Sequence, residues 1–236
     1  MKKIISFAAI FLVAGSIIAA DSAPKDAVIK AAKKLAASKN YSWLTTVEVV
    51  GGRFRPGPTD GQTEKNGFTT LAFTMGDNSA QAVLKGTNGV LKTDGDWQSM
   101  AEVVKDDNSD PGPIRFVAMR LQNFKTPAAE AESFALKAND LKLTDGVYSG
   151  ELSDEAAKAS LSFGRPGQNG AAVTGAKGTV KFWITHGALT KYEFQVQGHV
   201  EFGGNGRDVN RTTTTEIKDV GKTKVQVSDD AKKKLS

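Results

Sequence analysis

The alternation of apolar and polar positions is strongest between Lys191 and Phe202. Tyr192, Phe194, Val196, Gly198, Val200 and Phe202 fall in one phase, and Lys191, Glu193, Gln195, Gln197, His199 and Glu201 in the other. A period of two places the sets on opposite faces of a β-strand, one apolar and one wet. Twelve such residues are long for a strand and predict a broad, curved sheet whose apolar face something must cover. Tyr41, Trp43, Thr45, Val47 and Val49 share one phase of a second strand, Tyr41 to Val50. Further strands are predicted over Phe68–Met75, Gln81–Lys85, Gly89–Thr93, Leu141–Thr144, Val147–Leu152, Gly178–Thr185, Leu189–Phe202, Arg207–Lys218 and Lys222–Val227, separated by glycine-, asparagine- and aspartate-bearing turns.

Between these strand blocks the period shifts to 3.6. Pro24 to Ser38 predicts a helix with Val28, Ala31, Ala32, Leu35 and Ala36 on its inner stripe and Lys30, Lys33 and Lys34 away from it. Trp97, Met100, Ala101 and Val104 form another short stripe, and Ile114, Val117, Leu121 and Phe124 a third. A fourth helix opens with Thr126 before Pro127 and carries Ala131, Phe134, Ala135 and Ala138. A fifth is capped by Ser153 and runs through Leu161. None of these stripes can bury itself alone, so each must lie on the sheet or on another helix. Gly51 to Asn66 and Gly164 to Gly178 read as long connections, and Lys232 to Lys234 as part of a solvated end.

The first residues set the address. Lys2 and Lys3 precede the apolar run Ile4 to Ile18, followed by Ala19, Ala20 and Asp21, the layout of a secretory signal peptide cut after Ala20, with Ala19 the alternative. The run of about fifteen residues is short of the roughly twenty that span a bilayer. Losing two lysines and no acids would lower the net charge from +5 to +3. That is a solubility feature rather than a nucleic-acid footprint. The chain has no cysteine, so no disulfide staples it, no cysteine can carry a lipid anchor, and a hydrophobic core must supply the stability. The expectation is a bacterial periplasmic or secreted protein that is not a lipoprotein, with residues 1–20 as signal peptide, 21–228 as one domain and 229–236 as a polar tail.

Candidate chemistry is thin. His186 sits in a turn and His199 on the wet face of the long strand, without metal-ligand spacing. No Gly-x-Ser-x-Gly motif occurs. Gly164 to Gly170 lacks the lysine and hydroxyl of a phosphate loop. Asp94 and Asp96 lack the rest of a calcium loop, and Asp106, Asp107 and Asp110 lack an apolar surround. The reading is non-catalytic, with no metal and no cofactor; an enzyme of unfamiliar type would need convergent polar groups in a cleft. What remains is binding: a curved sheet with an apolar inner face, flanked by short helices, either packs shut or leaves a gap that an acyl chain fills.

The Tyr41-Ser42-Trp43 strand start, the meander, the central helices and the segment Gly178-Thr179-Val180-Lys181-Phe182-Trp183-Ile184-Thr185, closing with Asp219 to Val227, resemble the periplasmic lipoprotein-carrier superfamily. Its members include LolA-like carriers and the LppX/LprG-like lipid-binding lipoproteins of mycobacteria. The resemblance implies an α+β fold: a half-barrel of about eleven antiparallel strands, with short helices over a concave apolar face that holds acyl chains. The anchor cysteine of the mycobacterial group is absent, and none of Arg53, Arg55, Arg115 and Arg120 matches a cavity arginine of the LolA-like carriers, so specific partner proteins do not carry over. The expected cavity wall is Trp43, Val47, Leu71, Phe73, Met75, Val180, Phe182, Ile184, Tyr192, Phe194, Val196, Val200 and Phe202. The expected partners are acyl chains or a lipoprotein. The alternative is an envelope structural or protein-interaction module with a closed core and no ligand.

Overall fold

A computed structural model describes residues 23–51, 56–75, 78–93, 95–105, 113–162, 172–202 and 204–235. Residues 1–20, expected to be a signal peptide, Arg53 and Arg55, Asp94, Asp106, Asp107 and Asp110, and the Gly164 to Gly170 stretch lie outside the described residues.

Among the described residues eleven strands form a single antiparallel sheet in the order β6-β5-β4-β3-β2-β1-β11-β10-β9-β8-β7, open at β6 and β7 rather than closed into a barrel. The strands are β1 (Asn40–Val49), β2 (Thr59–Glu64), β3 (Thr69–Met75), β4 (Asn78–Lys85), β5 (Asn88–Lys92), β6 (Gln98–Ser99), β7 (Ala138–Thr144), β8 (Val147–Leu152), β9 (Ala172–Thr185), β10 (Ala188–Phe202) and β11 (Asn205–Lys218). Two sequential meanders meet where the first strand pairs with the last, β1 against β11, with Trp43 opposite Ile217 and Val47 opposite Thr213. Among the described residues six helices accompany the sheet: α1 (Pro24–Ala36), α2 (Met100–Lys105), α3 (Pro113–Leu121), α4 (Pro127–Lys137), α5 (Asp154–Leu161) and α6 (Asp229–Leu235).

The main core lies under the concave face. Val28, Ala31, Ala32 and Leu35 of α1, Val117 and Leu121 of α3, Phe134 and Ala135 of α4, and Leu161 of α5 pack with Tyr41, Trp43, Phe182 and Tyr192 of the sheet. The α1 stripe buries the residues its spacing predicts, apart from Ala36, which stays exposed. Ser153 caps α5 as expected, its Oγ accepting from the Ala156 N–H at 3.3 Å. Thr126 precedes α4 in an extended conformation, but its side chain makes no capping bond to the helix. The long strand holds in β10, paired on both sides, and its wet face carries ordinary cross-strand partners: Lys181 with Glu193 at 3.1 Å and His199 with Asp208 at 2.8 Å.

Five expectations need correction. The connection Gly51 to Asn66 contains β2, whose sequence TDGQTE has no large apolar residue; it is held by pairing on both sides, the Thr63–Thr69 hydroxyl bond at 2.7 Å and the Trp43 ring over Gly61. The second glycine-rich connection is shorter than expected, because β9 begins at Ala172, with a bulge opposite Gln197 to His199 and Gly175 at φ +62° absorbing its bend. Trp97 does not join the α2 stripe: the helix starts only at Met100, after β6, and buries Met100 and Val103 rather than Ala101.

Lys222 to Val227 is not a strand, since β1 already occupies the edge of β11 beside it. The C-terminal tail is a helix. Ala231 of α6 is fully buried with Val83 and Val90 on the convex face, beside Trp97, Val227 and Leu235, and Lys234 pairs with Glu102 at 3.1 Å while Lys232 to Lys234 stay exposed. The lysine-rich sequence hides an apolar contact made by Ala231 and Leu235.

Candidate functional site

Strand register sorts the expected wall residues onto one face. Gly61 and Leu71, Thr59 and Phe73, Phe182 and Tyr192, and Val180 and Phe194 are cross-strand neighbours. The same rows run on through Thr215, Thr213 and Arg211 of β11 to Thr45, Val47 and Val49 of β1. Trp43, Leu71, Val180, Phe182, Tyr192, Phe194, Val196 and Val200 are buried. Trp43 is packed on both sides, with its indole across Gly61 and stacked on Phe124 at 6.4 Å, and Phe134 meets Phe194 at 4.5 Å. These aromatics are committed to the helices. Val47, Phe73 and Ile184 are half-buried, Ile184 at the α1 end next to Leu189. Met75 and Phe202 end β3 and β10, and their side chains lie outside the described residues.

The face is therefore closed over its middle and less completely covered toward the end that Val47, Val49 and Val209 occupy. Val47 and Val49 of β1, Phe73 of β3 and Val209 of β11 remain half-buried. Val104 of α2 and Ile114 of α3, helices that both pack on β5, are half-buried as well. A separate shallow groove of about 250 Å³ lies off this wall, between the β4–β5 turn, Ser99 to Ala101 and the end of α6.

The interior also holds polar groups that the periodic reading passes over. The Tyr192 hydroxyl donates to Glu130 Oε2 at 2.5 Å, joining β10 to α4. Thr45 and Thr215 share a hydroxyl bond at 2.9 Å beside it, and the Tyr41 hydroxyl accepts from the Ala128 N–H at 3.4 Å. Arg211 Nη2 donates to the Ser160 carbonyl at 2.7 Å, joining β11 to α5, while its buried Nε has no hydrogen-bond partner. Arg120 is exposed on α3, and Arg115 is half-buried there.

Burial pushes Glu130 above the usual glutamate range, against the opposing pull of the Tyr192 hydrogen bond and the charges of Lys125, Arg120 and Arg211. Burial raises Tyr192 well above the ordinary tyrosine value, with Glu130 adding to the rise, so the phenol stays a proton donor. Burial and then the charge of Arg120 lower Arg211, against Glu130. A protonated phenol on a carboxylate and a guanidinium on a carbonyl can orient a polar group; neither supplies a nucleophile. Among the described residues no three His, Cys, Asp or Glu side chains converge to hold a metal ion, and no helix is long and apolar enough to cross a membrane.

Both interior charges left a sequence signal. Val209, Thr213, Thr215 and Ile217 form the inward phase of β11, and Arg211 stands in the middle of that phase. Glu130 precedes Phe134 by one helical turn on the inner side of α4.

No family model and no curated protein matches the sequence. Among solved structures the chain is similar to LprF from Mycobacterium bovis, at 12% identity over 88% of this chain and 97% of that one, with a TM-score of 0.46. It is also similar to the lipoprotein LppX of Mycobacterium tuberculosis, at 13% identity over 88% and 100%, with a TM-score of 0.44. A LolA superfamily protein from Nitrosomonas europaea aligns at 7% identity over 91% and 98%, with a TM-score of 0.33. The chain adopts the open antiparallel sheet of eleven strands, with helices on its concave side, that the resemblance implied.

Proposed function

We propose that the chain is a non-catalytic carrier, working outside the cytoplasm, that holds the acyl part of a lipid or of a lipid-modified protein at the incompletely covered end of its concave face. The observation that carries this reading is the group Val47, Val49, Phe73 and Val209. These side chains share one face of three strands and stay half-buried, while Trp43, Leu71, Phe182, Tyr192, Phe194 and Val196 of that face are buried. Apolar surface gathered in a concavity and left partly wet is what an aliphatic chain would complete, at about 0.8 kcal/mol for each CH₂ buried. Of the expected wall, Val47 and Phe73 belong to this site, while Trp43, Phe182 and Tyr192 act as its rigid backing.

Titration with a dansyl-labelled undecanoic acid tests it. Saturable, blue-shifted emission that oleate displaces is expected, weakened about tenfold or more in Val47→Asp, since a carboxylate there must be desolvated by the chain. No saturable signal from folded protein would overturn the reading. The complete burial of Phe182 and Tyr192 favours the alternative, an interaction module with a closed core, and that module would give a flat titration.

A further inference from the structure

Arg211 rises from the concave face into a mainly apolar setting. It faces Val196 across one strand pair and Val49 across the other, with Val209 and Thr213 flanking it on its own strand. Leu161 of α5 covers the neighbouring Gly198 so closely that a Cβ there would fall 2.8 Å from Leu161 Cδ1. A guanidinium has five N–H donors. This one spends its only described hydrogen bond on the Ser160 carbonyl, and its Nε is buried without a partner.

Among the described residues no carboxylate forms an ion pair with it; Glu130, the acid whose charge bears on it, is bonded instead to Tyr192. Arg120 adds a second positive charge near enough to repel it. A desolvated cation paired only with a carbonyl, and facing a like charge, is a costly arrangement that an anion would relieve.

We propose that Arg211 is the recognition point for an anionic oxygen group, a carboxylate or phosphate, carried by the amphiphile whose chain lies along Val47, Val49 and Val209. The inference rests on the carrier reading and names the class of ligand: an acidic lipid rather than a neutral one. The ligand's anionic group would accept from the N–H donors that Ser160 leaves free, while the Nη2 bond to Ser160 keeps the guanidinium plane fixed against α5. Arg120, exposed on α3, would add attraction without a defined contact.

Competition against the neutral probe N-phenyl-1-naphthylamine at pH 8 separates the possibilities. Oleate should displace it at a concentration at least about tenfold lower than oleyl alcohol, the return expected from one charge-assisted contact in a poorly hydrated site. Inorganic phosphate in the millimolar range should leave the probe in place, because the chain supplies most of the affinity. In Arg211→Gln the ratio of alcohol to oleate concentration should fall to near one, and Arg211→Lys should keep part of it.

Equal displacement by oleate and alcohol from the unmodified protein overturns the assignment while leaving the carrier reading intact. So does a preference that survives in Arg211→Gln, or displacement by phosphate alone, which would mark a simple ion site. Failure of both oleate and alcohol to displace a bound probe overturns the carrier reading and this assignment with it. The wild-type ratio stands as a test even if the variants fail to fold.

Discussion

The indole of Trp43 lies across Gly61 on the adjacent strand, so closely that a Cβ at Gly61 would fall 2.1 Å from the ring. Glycine is here a space requirement: the ring covers a stretch of β2 that has no apolar side chain of its own, and stacks on Phe124 above. Gly61→Ala should destabilise the protein by roughly 1 to 3 kcal/mol, as overpacking does, and change the Trp43 emission. In a Trp43→Leu background the same substitution should cost markedly less, which a double-mutant cycle in urea measures. Additive costs would show that the ring is not what excludes the methyl group.

The Tyr192–Glu130 bond ties the pH response to α4. A carboxyl whose folded pKa exceeds its unfolded value binds its proton more readily in the native state, so its contribution is most favourable when protonated and is lost as the pH climbs from the unfolded pKa through the folded one. Glu130→Gln keeps an acceptor for the phenol and removes the charge. Relative to that variant, the wild type should lose melting temperature as the pH rises above the ordinary glutamate range, and the gap should narrow in acid. Other titrations cancel in the difference. A gap that is flat or widens in acid would contradict the burial of this carboxyl.

Ending the chain after Ser228 removes α6. Ala231 and Leu235 would no longer cover Val83 and Val90, both almost completely buried, and Trp97 would lose packing on that side. The expected cost is about 2 kcal/mol, from apolar area alone; the exposed Lys234–Glu102 pair adds little. The urea midpoint and a red shift of tryptophan emission read this out. An unchanged midpoint would mean that α6 is the solvated tail its lysines suggest.

Periodicity revealed those elements whose inward side chains are apolar: α1, β1, β10 and the helical stripes of α3 and α4. It failed where pairing rather than composition holds a strand. β2 is legible only once Trp43 and the Thr63–Thr69 bond are in view, and α6 packs through just Ala231 and Leu235. The expected wall was silent about coverage, because hydrophobic phase cannot distinguish Phe182, sealed by helices, from Phe73, left half-buried. Arg211 and Glu130 were overlooked for a related reason: a stripe reading counts apolar positions and passes over the charge standing among them.

The most direct measurement is organic extraction and mass spectrometry of the protein purified from its native source without detergent. The account predicts a co-purifying acyl-bearing species, near one per protein, that is depleted in Val47→Asp. A folded protein that yields no such species, and that takes up no labelled fatty acid afterwards, would contradict it.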